Sequence, residues 1–149
     1  ANPPLRLIMH AHQTFGGHQP EWLVQAPGRE MWIAAVTTED HLYTVEAADH
    51  DSSVKFTHRS AKTGKTHLKR PLPDWARYPA GVVVTLGDGG LALPGFHAII
   101  LGDEPAGPRY DFSTGVAFAA FCYRLADVEA DEGRLLDVAE TVRREFIGL

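Results

Sequence analysis

Cysteine is almost absent from the 149-residue sequence, and long apolar runs and an excess of positive charge are missing from it. Cys122 is the only cysteine, so the chain cannot form an internal disulfide, which favours a reducing compartment. No apolar run approaches the roughly 20 residues that a membrane-spanning helix needs, and the N-terminus has no secretory signal pattern. The sequence therefore predicts a cytoplasmic protein with no membrane partner.

Basic residues are outnumbered, since 14 Lys and Arg stand against 19 Asp and Glu for a formal net charge of −5. Proteins that bind nucleic acid usually carry the opposite sign, which argues against this class of partner. Hydrophobic residues make up 44% and charged residues 22% of the chain, and this ordinary globular composition excludes a disordered or collagen-like chain. We expect residues 1–149 to form a single compact domain.

The first half of the chain predicts one helix followed by strands. Residues 5–15 carry apolar side chains near helical spacing and end at a pair of glycines. Extended segments are predicted at 22–26, 31–36, 41–47 and 54–58, the last three forming an antiparallel meander. Residues 59–70 are basic and contain few core-forming residues, so they predict a solvated loop or an edge hairpin.

The second half predicts three helices around one buried strand. Asp74 can cap a helix over residues 75–86, with Pro79 in its first turn or at a kink. The nearly unbroken apolar run at 96–101 is typical of a central strand. A loop, 102–111, then leads to an apolar helix at 113–125 and an amphipathic helix at 131–147. The pattern predicts an α+β fold, a small mixed or antiparallel sheet with helices packed on one face.

Three familiar catalytic patterns are incomplete. Gly64-Lys65-Thr66 resembles the end of a phosphate-binding P-loop, but Arg59 stands where that motif requires its first glycine. The eight histidines include no pair spaced as HxxxH and no cysteine partner, so solvated histidines are expected and no metal site is predicted from them. A Ser/His/Asp hydrolase has no G-x-S-x-G sequence to build on.

The strand, loop and helix of residues 96–125 form the strongest candidate site. Gly107 and Arg109 lie in the predicted loop, and Ser113 and Thr114 lie in the predicted first turn of the helix. Exposed amides at a helix N-terminus bind anions, and an arginine adds a charged fork for phosphate oxygens. The alternatives are that Asp111 or Ser113 merely caps the helix, or that Arg109 binds some other anion through its side chain.

Several stretches resemble, in order, the N-terminal part of galactokinase, a member of the GHMP sugar-kinase superfamily. They are Phe15-Gly16-x-x-Gln19-Pro20, Ala26-Pro27-Gly28-Arg29, Trp75-x-x-Tyr78-x-x-Gly81-Val82, Gly95-Phe96 to Gly102-Asp103-x-Pro105-x-Gly107, and residues 142–148. The resemblance implies a fold like domain 2 of ribosomal protein S5, with a left-handed βαβ crossover. In the intact family, ATP and Mg²⁺ phosphorylate the anomeric hydroxyl of galactose.

The resemblance also implies roles for individual residues. Arg29 would lie near the transferred phosphate as a catalytic residue, and Ser113 near the nucleotide phosphates or as a ligand of Mg²⁺. The resemblance also places the helix with Trp75 and Tyr78 beside the nucleotide, while Gly107, Arg109 and Thr114 are cofactor contacts predicted from the loop and helix start described above. Trp75 and Tyr78 would flank the adenine, although both also suit a helix that packs its aromatic residues into the core.

The sequence departs from the family at its ligand-binding segments. After Arg29 the polar sugar-binding segment is missing, and Tyr110, Asp111 and Phe112 stand where the phosphate loop needs small residues. The chain also ends before the family's Gly-x-Met-Asp-Gln segment, so we expect it to lack the catalytic aspartate and the C-terminal half. The sequence thus predicts a degenerate or inactive sugar-kinase domain, a pseudokinase, or alternatively a non-catalytic scaffold, binding or dimerisation domain.

The apolar character of the predicted helix at 113–125 also predicts a protein partner. Phe118, Phe121, Tyr123 and Leu125 belong to a helix that is apolar almost all round, so part of its surface needs cover. We expect a homo-oligomer or a partner polypeptide to provide that cover.

Overall fold

The computed structural model describes residues 2–148. Five strands and five α-helices follow one another along these residues. In chain order they are α1 (Leu5–Thr14), β1 (Trp22–Gln25), β2 (Met31–Thr37), β3 (Tyr43–Ala47), β4 (Ser52–Phe56), α2 (His58–Lys62), α3 (Arg77–Asp88), β5 (Phe96–Gly102), α4 (Pro108–Leu125) and α5 (Glu132–Val142). Short 3-10 turns at Ala48–His50 and Asp74–Ala76 and a π-helical turn at Arg143–Ile147 complete the chain.

The strands form one mixed sheet in the order β1-β2-β5-β3-β4. β5 pairs antiparallel with β2 and parallel with β3. The predicted central position of β5 is confirmed, and its apolar side chains are buried because both of its faces are covered. The predicted meander is wrong, since β5 lies between β2 and β3 and separates the β1–β2 hairpin from the β3–β4 hairpin.

Alternate residues of the sheet face two different helical layers. Ile33, Ala35 and Ile100 face the larger core, which is completed by α3, α4 and α5. Trp32 and Ile99 point to the opposite face, where α1 covers them. The α+β class and the mixed sheet are confirmed, with α1 as one helix on the second face.

Helix α4 begins at Pro108 instead of residue 113. Gly107 precedes it with a φ of 127°, a conformation that favours glycine, and proline at the first helical position suits the backbone angles there. Within residues 2–148 no side chain caps this helix, so the alternative that Asp111 or Ser113 caps it is wrong. Asp74 likewise lies in a 3-10 turn without capping α3, while Pro79 lies in the first turn of α3.

The predicted basic loop opens with a helix. Thr57 and Ser60 form a reciprocal capping box at the start of α2, in which each backbone N–H donates to the other's hydroxyl. Beyond α2, the backbone N–H of His67 donates to the carbonyl of Lys55 at 3.0 Å. This segment therefore covers part of the outer edge of β4.

The apolar face of α4 is covered within the domain. Phe118 and Phe121 are fully buried and Tyr123 is 7% exposed, so the prediction that these side chains need an external partner is wrong. Close packing against α3 is possible because Gly115 has no side chain, and a Cβ there would lie 2.7 Å from Cδ1 of Tyr78. None of the helices within residues 2–148 combines the length and apolar character that crossing a bilayer requires.

Candidate functional site

The candidate site lies where the C-terminal end of β5 passes through residues 103–107 into α4. A cleft of about 560 Å³ opens beside this loop and the first turn of α4, and the two 3-10 turns complete its walls. The lining residues are Asp49, His50, Asp74, Trp75, Gly102, Glu104, Ala106, Gly107, Tyr110 and Asp111. Gly107 and Trp75 are the two predicted cofactor contacts among them.

A chain of polar contacts runs beneath the loop from Arg29 to Arg109. Nη1 of Arg29 donates to Oγ of Ser113 at 2.9 Å, and that hydroxyl donates to Oε1 of Glu104 at 3.2 Å. Nε of Arg109 lies 3.3 Å from Oε2 of Glu104, whose side chain is only 6% exposed. The guanidinium of Arg29 also stacks over the ring of Phe112, 5.3 Å from its centroid. We call this set the Glu104 chain, because the carboxylate of Glu104 connects Ser113 with Arg109.

Asp49 joins three elements at the back of the cleft. Its carboxylate accepts hydrogen bonds from Nη1 of Arg6 at 3.0 Å, the N–H of Gly102 at 3.2 Å and the hydroxyl of Tyr110 at 2.6 Å. Burial by itself raises the pKa of Asp49, but these hydrogen bonds outweigh it and hold the pKa below its ordinary value. Burial, together with the bond to Asp49, raises the pKa of Tyr110, which stays protonated.

The cleft carries negative charge where the resemblance implies nucleotide phosphates. Four carboxyl groups line it, and neither lysine nor arginine is among the lining residues. Burial raises the pKa of Asp111. The charge of His50 partly opposes this increase in pKa, and the charge of Asp74 adds to it. Because both the hydroxyl of Ser113 and the side chain of Arg109 are already paired with Glu104, the residues present do not fit Mg²⁺-ATP.

The predicted site residues fall into separate places. Arg29 and Ser113 come together in the Glu104 chain, and Arg109 joins it with a side chain that is 74% exposed. Thr114 is buried within α4, where its hydroxyl donates to the carbonyl of Tyr110 at 3.1 Å. Ser113 and Thr114 therefore lie inside the helix and not at its amide end, because α4 starts at Pro108.

The two aromatic residues predicted beside the adenine also separate. Trp75 faces the cleft and stacks on His50, with ring centroids 6.4 Å apart and planes inclined by 13°. Tyr78 is 5% exposed and packs edge-on against Phe112 at 6.3 Å. Trp75 thus lines the cleft, whereas Tyr78 belongs to the core.

Sequence reasoning missed Glu104 and Asp49. Glu104 lies between Asp103 and Pro105, at a position that the family motif leaves unspecified, so no motif distinguishes it. In the sequence, Asp49 is part of a polar turn, and the residues that donate hydrogen bonds to it are distant from it in sequence. Within residues 2–148 no three His, Cys, Asp or Glu side chains converge as a metal site.

Replacing Asp111 by asparagine is expected to raise stability at pH 7, by an amount within about 1 kcal/mol. The folded-state pKa of Asp111 is raised, so its ionisation costs stability at neutral pH. That cost is relieved as the pH falls through the folded pKa toward the ordinary value of 3.8. Urea unfolding of parent and variant between pH 4 and pH 7, roughly the titration range of a perturbed carboxyl, measures the difference.

Glu132→Gln is the matched control, because Glu132 is an exposed acid in the first turn of α5. We expect it to be neutral or slightly destabilising at every pH. A stabilisation by Asp111→Asn that does not shrink toward pH 4 would contradict the role given to burial.

Comparison with known proteins gives related sequences and folds, although no protein-family model matches the chain. The chain is 26% identical over 113 residues to a galactokinase of Halalkalibacterium halodurans, and the alignment covers 74% of this chain and 27% of that protein. The solved structure of Lactococcus lactis galactokinase complexed with galactose is similar with a TM-score of 0.74 at 14% identity, over 97% of this chain and 42% of that one.

A second solved structure has a similar fold. The mevalonate kinase of Methanococcus jannaschii is similar with a TM-score of 0.63 at 12% identity, over 79% of this chain and 37% of that one. The chain therefore spans less than half the length of the relatives it matches. The expected likeness to galactokinase is confirmed, and the fold is one that galactokinase and mevalonate kinase share.

Proposed function

We propose that this chain is a galactokinase-like sugar-kinase domain that has lost phosphoryl transfer and serves as a non-catalytic binding or scaffold domain. The observation that carries the proposal is the buried carboxylate of Glu104. It lies beside Ser113, which the resemblance assigns to the nucleotide phosphates, and beside Arg109, which the loop pattern predicts as a phosphate contact. The likeness to galactokinase supports the ancestry, and this carboxylate supports the loss of activity.

Charge opposes a nucleotide at this place. A phosphate oxygen about 4 Å from an unpaired carboxylate is opposed by about 4 kcal/mol at the effective dielectric of a protein surface, and pairing with Arg109 reduces this value for Glu104. Asp111 and Asp74 add negative charge to the same cleft. Phosphoryl transfer depends on positioning and on cations that stabilise the transferred group, and Arg29 already donates to Ser113 and stacks over Phe112.

The aromatic wall of the cleft is compatible with retained ligand binding. Trp75 and His50 present stacked rings to the cleft beside Gly107. A neutral sugar packs well on such a surface and suffers no repulsion from the neighbouring carboxylates, which can accept its hydroxyl hydrogens. A binding role without phosphoryl transfer is therefore chemically consistent with the cleft.

Calorimetric titration with Mg²⁺-ATP, followed by an ADP-release assay with galactose, tests the proposal. We expect no saturable binding of Mg²⁺-ATP at millimolar concentration, which corresponds to a binding free energy weaker than about 4 kcal/mol. ADP release is expected to equal the enzyme-free background. The galactokinase of Lactococcus lactis, assayed in parallel, is the positive control.

An active kinase would give the opposite result. Saturable Mg²⁺-ATP binding together with galactose-dependent ADP release, both lost in Arg29→Met, would overturn the proposal. Where the gene encodes further residues, the full-length protein is assayed in the same way.

A further inference from the structure

The outer edge of β1 has no paired strand among residues 2–148, and it lies beside a groove. β1 is one end of the sheet, and the N–H of Ala26 donates to the carbonyl of Met31 on β2. Antiparallel strands alternate inward and outward hydrogen-bonding groups, so the N–H and C=O groups of Leu23 and Gln25 point away from β2. Within residues 2–148 these groups have no backbone partner.

The opposite edge of the sheet is treated differently. The backbone N–H of His67 donates to Lys55 on β4, so the chain's own segment covers part of that edge. Natural sheets protect exposed edges because unpaired strands associate with other strands. β1 lacks such a cover among the described residues, which makes it the edge available for pairing.

A groove of about 980 Å³ runs beside β1 and beneath the α4–α5 connection. Apolar side chains from β1, α4 and α5 line it, including Trp22, Val24, Tyr123 and Leu135. The indole N–H of Trp22 is buried without an acceptor among residues 2–148, which costs about 1–3 kcal/mol. Val128 on the connection is 42% exposed, so the rim of the groove is also apolar.

Charged groups of both signs stand on the same rim. Arg124 lies at the end of α4, and Asp127 and Glu129 follow it in the connection. Among residues 2–148 none of these three side chains takes part in an ion pair. When a twofold axis relates two copies of a surface that carries an unpaired cation next to unpaired anions, the cation of each copy can face the anions of the other.

We propose that a second copy of this chain pairs antiparallel with the outer edge of β1, so that the two sheets become continuous. The twofold axis of such a pair is perpendicular to the sheet. Both α4–α5 connections therefore lie on the same face of the continuous sheet. Arg124 of each copy then faces Asp127 and Glu129 of the other, and Val128 covers the neighbouring groove. The inference is independent of the proposed loss of phosphoryl transfer.

Sedimentation velocity over about 1–100 μM, a range that reports dissociation constants near micromolar, tests the dimer. Leu23→Pro removes an outward N–H and no hydrogen bond to β2, so it is expected to weaken the dimer at least about tenfold. Ser53→Pro is the matched control, because the bond from His67 to Lys55 makes Ser53 an outward position on the β4 edge. It is expected to leave the dissociation constant unchanged.

Charge reversal provides a second, independent test. Arg124→Glu is expected to weaken the dimer about tenfold, and Arg124→Glu combined with Glu129→Arg is expected to restore it. Because both positions are exposed, these variants are expected to fold even if Leu23→Pro does not. Circular dichroism of every variant checks that it is folded.

Two results would overturn the inference. One is a monomer over the whole concentration range, and the other is a dimer that neither Leu23→Pro nor Arg124→Glu weakens. If the protein is a monomer, protection of the Leu23 and Gln25 amides from hydrogen exchange would show that another segment of the same polypeptide covers the edge.

Discussion

Replacing Phe121 by alanine is expected to lower the free energy of unfolding by about 3–5 kcal/mol. Phe121 is fully buried, and its ring centroid lies 5.0 Å from that of Phe96 and 5.6 Å from that of Phe118. Truncation loses the transfer free energy of the ring, the contacts within this aromatic cluster, and the packing around the cavity left behind. Since domains are stable by only about 5–15 kcal/mol, the variant is expected to approach the threshold of folding.

Urea unfolding at one fixed protein concentration measures this effect. Phe121→Leu retains most of the volume and is expected to cost less than half as much. Leu5→Ala is the surface control, because Leu5 is 72% exposed and its truncation is expected to change stability by no more than about 0.5 kcal/mol. If Phe121→Ala changed the oligomeric state and left the urea midpoint unaltered, the aromatic face would be an interface instead of a core.

The elements themselves were largely predictable from local patterns. The apolar run of β5 and the amphipathic spacing of α5 identify a central strand and a surface helix, and both predictions are confirmed. Strand order was not predictable in this way, because the pairing of β5 with β2 and β3 joins segments far apart in the chain. A meander joins consecutive strands by the shortest connections. It would have left the apolar strand β5 without a paired strand on each of its two sides.

The error at the start of α4 explains why Ser113 and Thr114 were expected in the first turn of that helix. Gly107-Pro108 is a good signal for a helix start, and the apolar run from Ser113 onward obscured it. A helix turns every 3.6 residues, so a start at Pro108 carries Ser113 beyond the first turn and into the interior. The nucleotide contacts, the Mg²⁺ ligand and the left-handed crossover stay predictions, whereas the likeness to galactokinase is confirmed.

Replacing Asp49 by alanine is expected to cost about 2–4 kcal/mol, because hydrogen bonds to a charged group contribute more than neutral ones and their buried partners would be left unpaired. The side chain of Asp49 is 21% exposed, and the hydroxyl of Tyr110 and the N–H of Gly102 would both lose their acceptor. These partners belong to α4 and to the end of β5. The variant is therefore expected to loosen the wall of the cleft as well as the fold.

Asp103→Ala is the matched control, since Asp103 accepts from the same arginine but is 61% exposed. An exposed pair of this kind contributes about 0–1 kcal/mol, so this variant is expected to be nearly neutral. Tyr110→Phe separates the contributions further, because it removes one donor and leaves Arg6 and Gly102 bound to Asp49. We expect its cost to lie between those of the two alanine variants.

The pH dependence of the unfolding free energy separates the effect of the negative charge of Asp49 from the effect of the packing of its side chain. Its folded-state pKa is lowered, so its stabilisation is fully present above the ordinary value of 3.8 and is lost as the pH falls through the folded pKa. The difference in unfolding free energy between the parent and Asp49→Asn is therefore expected to be largest near neutral pH and to shrink below about pH 4. A difference that stayed constant down to pH 2, roughly below the titration of such a carboxyl, would mean that the side chain acts by packing and not by charge.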